Sequence, residues 1–443
     1  MDNVVRIRAH EGGTMIVTNA EDMKEVLAGR VKHLSFIRKD TDVFNGLGLG
    51  ESSQRIPGLA FRGPDTPESL VEPVHVQVQL TPVADPLSAN PPRNTAVVAG
   101  VRCLLAGRVW DHGRCEEHNV EVVPVRQDIF SRSRGLLETD VLAPKSVLIT
   151  ALGSVGATVA RQIAQLGVCR IGIMDPERIE VSNVARHEAR LSDVGRRKTS
   201  VVKELILDKN PHAEVETYDW SVCTATFDDL VRLMGQYDLA IATMDNRGGK
   251  QMTSKAGLLT DTPVIISGAF RRAYGGLVIR VLPGVSACYE CFVRTLRHDT
   301  RFAGGDPDPN PIAYSDRPVP IEPGLALDIA PICHMTTKVA LQQLLRDVPT
   351  TFRSLDEDLA ANLYLWLNRR EIGTPFERLE PLGFGVDGLR ILGWYGVDLP
   401  KDPNCPICGN YAGYLAALHG IEIGSDDPFV GNASSTPEGN THG

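Results

Sequence analysis

Two pairs of cysteines have the spacing of a metal site. Cys288 and Cys291 are separated by two residues, and Cys405 and Cys408 repeat that spacing near the end of the chain. Four thiolates in two such pairs satisfy the closed tetrahedral coordination of a structural Zn²⁺. We expect these cysteines to fasten the C-terminal segment to the preceding domain. Four unrelated thiols, or a redox Cys-x-x-Cys, are the alternatives, and the presence of two pairs argues against the second.

A glycine-containing turn follows the apolar segment SVLIT. It runs from Ala151 through Gly153 and Ser154 to Gly156, so alanine takes the place of the first glycine of a phosphate-binding loop. Gly153 would let a phosphate approach the backbone, Gly156 would let the next helix pack closely, and the helix N-terminus favours an anion. Asp175 follows the next apolar segment, where dinucleotide-binding folds place a ribose-binding carboxylate. Together these residues predict a nucleotide site.

Further charged residues favour a site for a nucleoside triphosphate over a site for a nicotinamide dinucleotide. Arg186, Lys198 and Asp245 lie in loops near the expected strand ends. A triphosphate needs cations at its oxygens and a carboxylate for Mg²⁺, whereas a hydride-transfer enzyme leaves these residues unexplained. A nicotinamide-dependent oxidoreductase therefore remains an alternative with less support. Solvated surface charge would be the default interpretation of either cation alone.

The same segments carry a family resemblance. The motifs DxxxxExSNxxR from Asp175, DVGxxK from Asp193 and ATxDN from Ala242 occur in order. In this respect, the stretch from about Phe130 to Ala416 resembles the HesA/MoeB/ThiF superfamily, the activating enzymes for ubiquitin-like and sulfur-carrier proteins. The resemblance implies a Rossmann-like fold, ATP and Mg²⁺ as cofactors, and a set of site residues. These are Asp175 at the ribose, Asn183, Arg186 and Lys198 at the phosphates, and Asp245 at Mg²⁺.

The resemblance also implies a reaction and its partners. The expected reaction is adenylation of the C-terminal carboxylate of a carrier protein ending in Gly-Gly, with release of pyrophosphate. A peptide, a small carboxylate or a tRNA-borne carboxylate is the alternative acceptor, and a non-catalytic scaffold is a further alternative. The segment Phe130-Ser-Arg-Ser-Arg134 is similar to the family's N-terminal helix, whose arginine reaches the partner subunit's ATP site. Arg134, with Arg132 as the second choice, therefore implies a homodimer.

No thioester nucleophile is evident among the remaining cysteines. The long Pro- and Gly-rich loop from Arg297 to Gly324, a plausible lid, contains no cysteine. Cys333 lies beside His334, but its apolar helical surroundings favour a core residue over a nucleophile. A zinc-protease motif is excluded as well, because Leu191 stands where the sequence beginning His187-Glu188 would require a second histidine.

Strands that alternate with helices from Pro144 onward position these residues. This alternation predicts an α/β fold with a doubly wound, mainly parallel sheet, whose ligands bind at the carboxyl ends of its strands. We place the domain boundaries at 1–95 for a separate small α+β N-terminal region of unknown role, and at 96–126 for a small β segment docked on the main domain. Residues 127–420 form the adenylation domain, and 421–443 a disordered tail.

Composition narrows the remaining functional classes. The 443 residues include 46 Lys and Arg against 55 Asp and Glu, a net charge of −9, which argues against nucleic acid as the main partner. No apolar stretch approaches the roughly 20 residues needed to cross a bilayer. The charged start of the chain has no signal-peptide pattern, so we expect a cytoplasmic protein whose cysteines are thiols or metal ligands.

Overall fold

The computed structural model describes residues 15–40, 42–47, 55–63, 74–84, 88–92, 94–125, 129–133, 136–137, 139–298, 323–346, 348, 354–383 and 388–409. The chain divides into two compact units, Met1–Gly135 with Leu207–Pro211, and Leu136–Ile206 with His212–Gly443. The expected lid, except for its two ends, and the C-terminal tail lie outside the described residues.

The N-terminal unit is built on one closed sheet. Its elements are β1 (Met15–Asn19), α1 (Ala20–Leu27), β2 (His33–Asp40), β3 (Val43–Asn45), β4 (Arg55–Arg62), β5 (Val74–Pro82), β6 (Thr95–Val98), β7 (Val101–Asp111) and β8 (Arg114–Val123). The strand order is β5-β4-β2-β3-β1-β8-β7-β6, and pairing of β5 with β7 closes seven strands into a barrel.

This barrel corrects the expectation of a separate small α+β region. The strands on the two sides of residue 95 belong to the same sheet, since Val76 of β5 pairs with Val109 of β7 and Ile16 of β1 pairs with Val120 of β8. The segment 96–126 thus contributes strands to the N-terminal barrel. Such pairing joins strands far apart in the chain, which alternating apolar residues in a single strand do not reveal.

Phe36 is the centre of the barrel core. It is fully buried together with Ile16, Met23 and Phe44. A Cβ added at Gly58 would lie 2.6 Å from Cδ2 of Phe36, so this glycine makes room for the ring. The Phe36 ring therefore packs directly against the backbone of Gly58.

The second unit contains the doubly wound sheet. Its strands are β9 (Ser146–Thr150), β10 (Arg170–Met174), β11 (Glu214–Tyr218), β12 (Leu239–Ala242), β13 (Val264–Ala269), β14 (Gly275–Val281), β15 (Leu363–Leu367) and β16 (Gly393–Val397). The order is β11-β10-β9-β12-β13-β14-β15-β16. The first five strands are parallel and the last three antiparallel. The α/β class is confirmed, and the sheet is mixed, with its parallel part at one side.

Helices cover both faces of this sheet. They are α2 (Thr139–Leu142), α3 (Ser154–Gln165), α4 (Lys198–Lys209), α5 (Phe227–Met234), α6 (Arg247–Leu259), α7 (Tyr289–His298), α8 (Ala326–Leu345) and α9 (Ser354–Asp358). Ile149 faces the core cluster that contains α3 and α8, whereas Leu148 faces the cluster that contains α5 and α6. This packing on both faces explains why β9 is buried throughout. None of the described helices combines the length and the apolar sequence that a bilayer crossing requires.

Replacing Phe36 with alanine should selectively loosen the barrel. We expect a loss of about 3–5 kcal/mol, because truncation of a buried ring leaves a cavity in a packed core. Hydrogen exchange of the β1–β8 amides, followed by mass spectrometry, measures this loss locally. Val97→Ala is the matched control, since Val97 of β6 is 47% exposed. Unchanged protection of the barrel amides in the Phe36→Ala protein would contradict this account of the core.

Candidate functional site

The candidate site lies at the carboxyl ends of the parallel strands. β9 has β10 on one side and β12 on the other. The chain leaves β9 through α3 toward β10, and leaves β12 through α6 toward β13. The two connections diverge between β9 and β12, and this switch in direction opens the crevice in which α/β sheets bind ligands. The glycine turn, Asp175 and Asp245 all follow strands that end at this edge.

The glycine turn keeps a close helix–strand contact and an open helix N-terminus in spite of its alanine. Ala151 has a φ of 71°, a left-handed conformation that costs a non-glycine residue about 1–2 kcal/mol. The hydroxyl of Thr243 donates to the Ala151 carbonyl at 2.7 Å and helps to hold it. A Cβ at Gly156 would overlap that carbonyl oxygen, whereas at Gly153, which precedes Ser154 at the start of α3, nothing lies within 4 Å. The helix therefore packs closely while its N-terminus stays open.

Asp175 organises this turn from the end of β10. Its carboxylate accepts hydrogen bonds from the backbone N–H groups of Leu152 at 2.7 Å and Glu177 at 2.8 Å. The side chain is buried, and burial raises the pKa of Asp175, opposed by the charge of Lys198. The sequence predicts a ribose contact for this carboxylate. Its observed bonds show that it holds the glycine turn in place, and the ribose contact stays a prediction.

Lys198 reaches Asp175 because the segment between them folds back on itself. The backbone N–H of Lys198 donates to the Glu177 carbonyl at 3.0 Å. Ile179, Ala189 and Val201 form a small core under the segment. The Lys198 ammonium is buried, 2.5 Å from the Glu177 carboxylate and 4.0 Å from that of Asp175. The Glu177 side chain is 52% exposed, so this ion pair lies at the surface end of the buried lysine.

Asn183 and Arg186 occupy a turn on the same segment. The Asn183 side-chain oxygen accepts a hydrogen bond from the Glu180 N–H at 3.0 Å, and its carbonyl accepts from the Arg186 N–H at 2.9 Å. The Arg186 guanidinium lies near the start of α8, 3.8 Å from where a Cβ of Gly324 would be. In the described structure Asn183 thus shapes the turn that carries Arg186.

His187 is a site residue that sequence reasoning missed. Its Nε2 lies 2.8 Å from the Leu152 carbonyl oxygen, and its Nδ1 accepts from the Ala189 N–H at 3.0 Å. These two bonds fix a neutral ring with its proton on Nε2. Burial lowers the pKa of His187. Its position directly after Arg186 could have indicated a role in the site, but the segment beginning His187-Glu188 was tested only as a zinc-protease motif.

Asp245 lies on the open side of the crevice. It is exposed beyond the end of β12, and the next residue, Asn246, caps α6 by accepting from the Gly249 N–H at 2.6 Å. Lys250 in the first turn of α6 is buried, and the sequence analysis did not select it. The glycine turn, Asp175 with Lys198 beside it, and Asp245 therefore lie at one sheet edge, and Arg186 lies near the start of α8. Their contacts with a nucleotide stay predictions.

The structure describes only one of the two arginines that were considered for a role across a dimer. Arg134 lies outside the described residues, and Arg132 is exposed in a short turn at Ser131–Ser133 of the N-terminal unit. Their role in a partner subunit's site stays a prediction.

The four cysteines of the predicted zinc site come together. Their sulfur atoms lie within 4.8 Å of one another, and all four residues are buried. The distances from Cys288 to Cys405 and from Cys291 to Cys408 are 3.7 and 3.2 Å between sulfurs. This grouping of four soft ligands fits a tetrahedral Zn²⁺ with no open position, and it joins the start of α7 to the chain after β16.

The remaining thiols differ in chemistry. Cys333 is 1% exposed within α8, and burial raises its pKa to about 12, so the expectation of a core cysteine is confirmed. Cys223 is half-buried beyond β11. A hydrogen bond with the Thr226 hydroxyl is the main cause that lowers the pKa of Cys223.

Loss of the metal should loosen the C-terminal segment. We expect one zinc per chain by elemental analysis. We expect Cys408→Ser to lose it, with a fall in Tm on the order of 10 °C, because metal binding contributes directly to folding stability. Cys115→Ser is the control, since Cys115 is exposed and distant in sequence from the cluster. A Cys408→Ser protein with full zinc content would contradict the assignment.

His187 should make stability sensitive to mild acid. Its pKa in the folded protein is lowered from 6.5, so the unfolded chain binds the proton more tightly. The free energy of unfolding therefore decreases as the pH falls below about 6.5. His187→Gln, which can keep both hydrogen bonds, should show a shallower decrease in urea denaturation between pH 8 and 5. Burial also lowers the pKa of His118, but this residue is present in both proteins, so its contribution cancels in the comparison. Equal slopes would contradict the prediction.

Known proteins resemble this chain over part of its length. Ubiquitin-like modifier-activating enzyme 5 of Dictyostelium discoideum is 25% identical over 157 residues, 33% of this chain and 41% of the relative. Adenylyltransferase and sulfurtransferase UBA4 of Lodderomyces elongisporus is 29% identical over 170 residues, 38% of this chain and 36% of the relative. The match thus spans about two fifths of the length of these curated relatives.

A solved structure and a family model extend the comparison. The crystal structure of E. coli MccB with MccA-N7isoASN aligns with 64% of this chain and 75% of its own, at a TM-score of 0.47 and 17% identity. A sequence model of the ThiF family matches residues 126–365, which is more than half of the chain. This match confirms the resemblance inferred from the motifs at Asp175, Asp193 and Ala242. The chain belongs to the ThiF family.

Proposed function

We propose that this protein uses ATP to adenylate the C-terminal carboxylate of a ubiquitin-like or sulfur-carrier protein ending in Gly-Gly. The observation that carries the proposal is that the glycine turn, Asp175 with the buried Lys198 beside it, and the exposed Asp245 lie at one sheet edge. Membership of the ThiF family and the activities for which the two relatives are named support it.

The reaction needs no general base from the protein. A C-terminal carboxylate is already ionised near neutral pH. It attacks the α-phosphorus of ATP, a new carboxyl oxygen–phosphorus bond forms, and the bond to the bridging oxygen breaks with its electron pair leaving on pyrophosphate. Negative charge accumulates on the leaving oxygens, so cations placed there lower the barrier. Lys198 and Arg186 supply that charge, and the open N-terminus of α3 after Gly153 receives the phosphates.

Asp245 has the chemistry of a magnesium ligand. Mg²⁺ takes oxygen ligands and commonly binds through one or two carboxylates plus phosphate oxygens and water. An exposed carboxylate just beyond β12 fits that role. Bound Mg²⁺ would neutralise charge on the triphosphate, while Asp245 orients it beside the phosphate loop.

A nicotinamide-dependent oxidoreductase is the less favoured function. It would use the glycine turn and Asp175 but has no use for Lys198 buried beside Asp175 and Glu177. The acceptor, a homodimer with Arg134 acting in the partner's site, and a cytoplasmic location are parts of the same proposal. They follow the family resemblance.

Asp245→Ala and Lys198→Met should each abolish carrier-dependent ATP–pyrophosphate exchange. The first substitution removes the proposed Mg²⁺ ligand. The second removes a cation that would stabilise the negative charge of the transition state. Each should lower the rate of exchange by at least about 100-fold. The assay measures radiolabelled pyrophosphate incorporated into ATP in the presence of candidate carriers ending in Gly-Gly.

Asp229→Ala is the matched control, because Asp229 lies on α5 with its side chain 58% exposed in a surface ion pair. It should keep wild-type exchange. Full exchange by the Asp245→Ala protein would contradict the proposed site. Binding of NAD but not ATP by the wild-type protein would favour the oxidoreductase instead.

A further inference from the structure

Lys250 is a buried cation that the nucleotide site does not use. It lies in the first turn of α6 and is 8% exposed. A Cβ added at Gly268, near the end of β13, would lie 2.6 Å from the Lys250 Nζ. The ammonium therefore occupies the space above Gly268 that a side chain would fill, at the same sheet edge as the phosphate loop.

Within the described part of the chain, no hydrogen bond or ion pair engages this ammonium. Asp245, beyond the end of β12, is the carboxylate whose charge acts on it, while burial lowers the pKa of Lys250. Burying an ammonium without a hydrogen-bonded anion is costly. An anionic ligand bound at this sheet edge would supply such a partner.

The order of the strands shows which part of a bound ligand would lie closest to Lys250. Along the carboxyl edge, Asp175 follows β10, the phosphate loop follows β9, Asp245 follows β12, and Gly268 lies at the end of β13. A nucleotide held by Asp175 and the phosphate loop extends toward β12. Lys250 lies one strand farther on, beyond Asp245. It also belongs to the helix layer opposite α3.

We propose that Lys250 binds the reactive carboxylate of the acceptor and holds it against the α-phosphorus. The inference rests on the proposed adenylation and assigns an acceptor subsite to it. Lys250 donates a hydrogen bond to the carboxylate oxygen that does not attack, and after transfer to the carbonyl oxygen of the acyl adenylate. It transfers no proton: the electron pair of the attacking oxygen forms the new bond to phosphorus, and pyrophosphate leaves with the pair of the broken bond.

The test uses a stable mimic of an adenylated C-terminal glycine. Binding of glycyl sulfamoyl adenosine, of sulfamoyl adenosine without the glycyl group, and of ATP is measured by calorimetry with the full-length protein. Lys250→Met should weaken the binding of glycyl sulfamoyl adenosine about tenfold or more, because it removes one charged hydrogen bond. It should leave sulfamoyl adenosine and ATP unchanged, and Lys250→Arg should restore part of the loss.

Two comparisons separate this role from a structural one. Lys255→Met is the matched control in the same helix, where Lys255 packs 5.1 Å from the ring centre of Phe227. It should bind all three ligands as the wild type does. Lys250→Met should also keep or raise the Tm, because it removes a buried charge without breaking a described ion pair.

Each remaining outcome overturns a specific statement. Equal weakening of ATP and glycyl sulfamoyl adenosine by Lys250→Met, or no weakening, would overturn the acceptor subsite while leaving the nucleotide site intact. A lowered Tm with equal loss of all ligands would make Lys250 structural. Failure of the wild-type protein to bind ATP and sulfamoyl adenosine would instead overturn the proposed adenylation itself.

Discussion

The candidate site depends on how one residue, Leu152, is held. Its N–H donates to the buried carboxylate of Asp175, and its carbonyl accepts from the buried ring of His187. These partners are 23 and 35 residues away in the chain, so two distant segments fix a single turn. The direction of the helix N-terminus after Gly153 follows from this arrangement. So does the placement of Lys198, beside Asp175, and of Arg186, which immediately precedes His187.

Much of this unit could be predicted from sequence because its signals are local. The apolar segments of β9, β10 and β12, the glycine at 156 and the two Cys-x-x-Cys pairs each depend on short-range spacing. The structure confirms the α/β class and brings the four cysteines together. Gly156 is required, as the sequence predicts, because the helix packs closely on the strand and any side chain there would overlap the carbonyl of Ala151.

The parts that sequence reasoning missed depend on contacts between distant residues. The barrel requires β5 to pair with β7 and β1 with β8, and neither register is encoded in one strand. His187 and Lys250 become informative only through burial, because a histidine or a lysine in a polar segment is ordinarily a surface residue. The side-chain oxygen of Asn183 accepts a hydrogen bond within its own turn, and the predicted phosphate contact of this residue stays a prediction.

The cysteine cluster has a consequence for chain entropy. Cys288 and Cys405 are separated by 117 positions, so a metal bound between them closes a very long loop. Such a cross-link removes many conformations from the unfolded chain, an effect that increases only logarithmically with loop length. Doubling the enclosed length would change this contribution by only about 0.6 kcal/mol. The stabilisation that the metal gives by closing this loop therefore depends little on how many residues the connections between the two cysteine pairs contain.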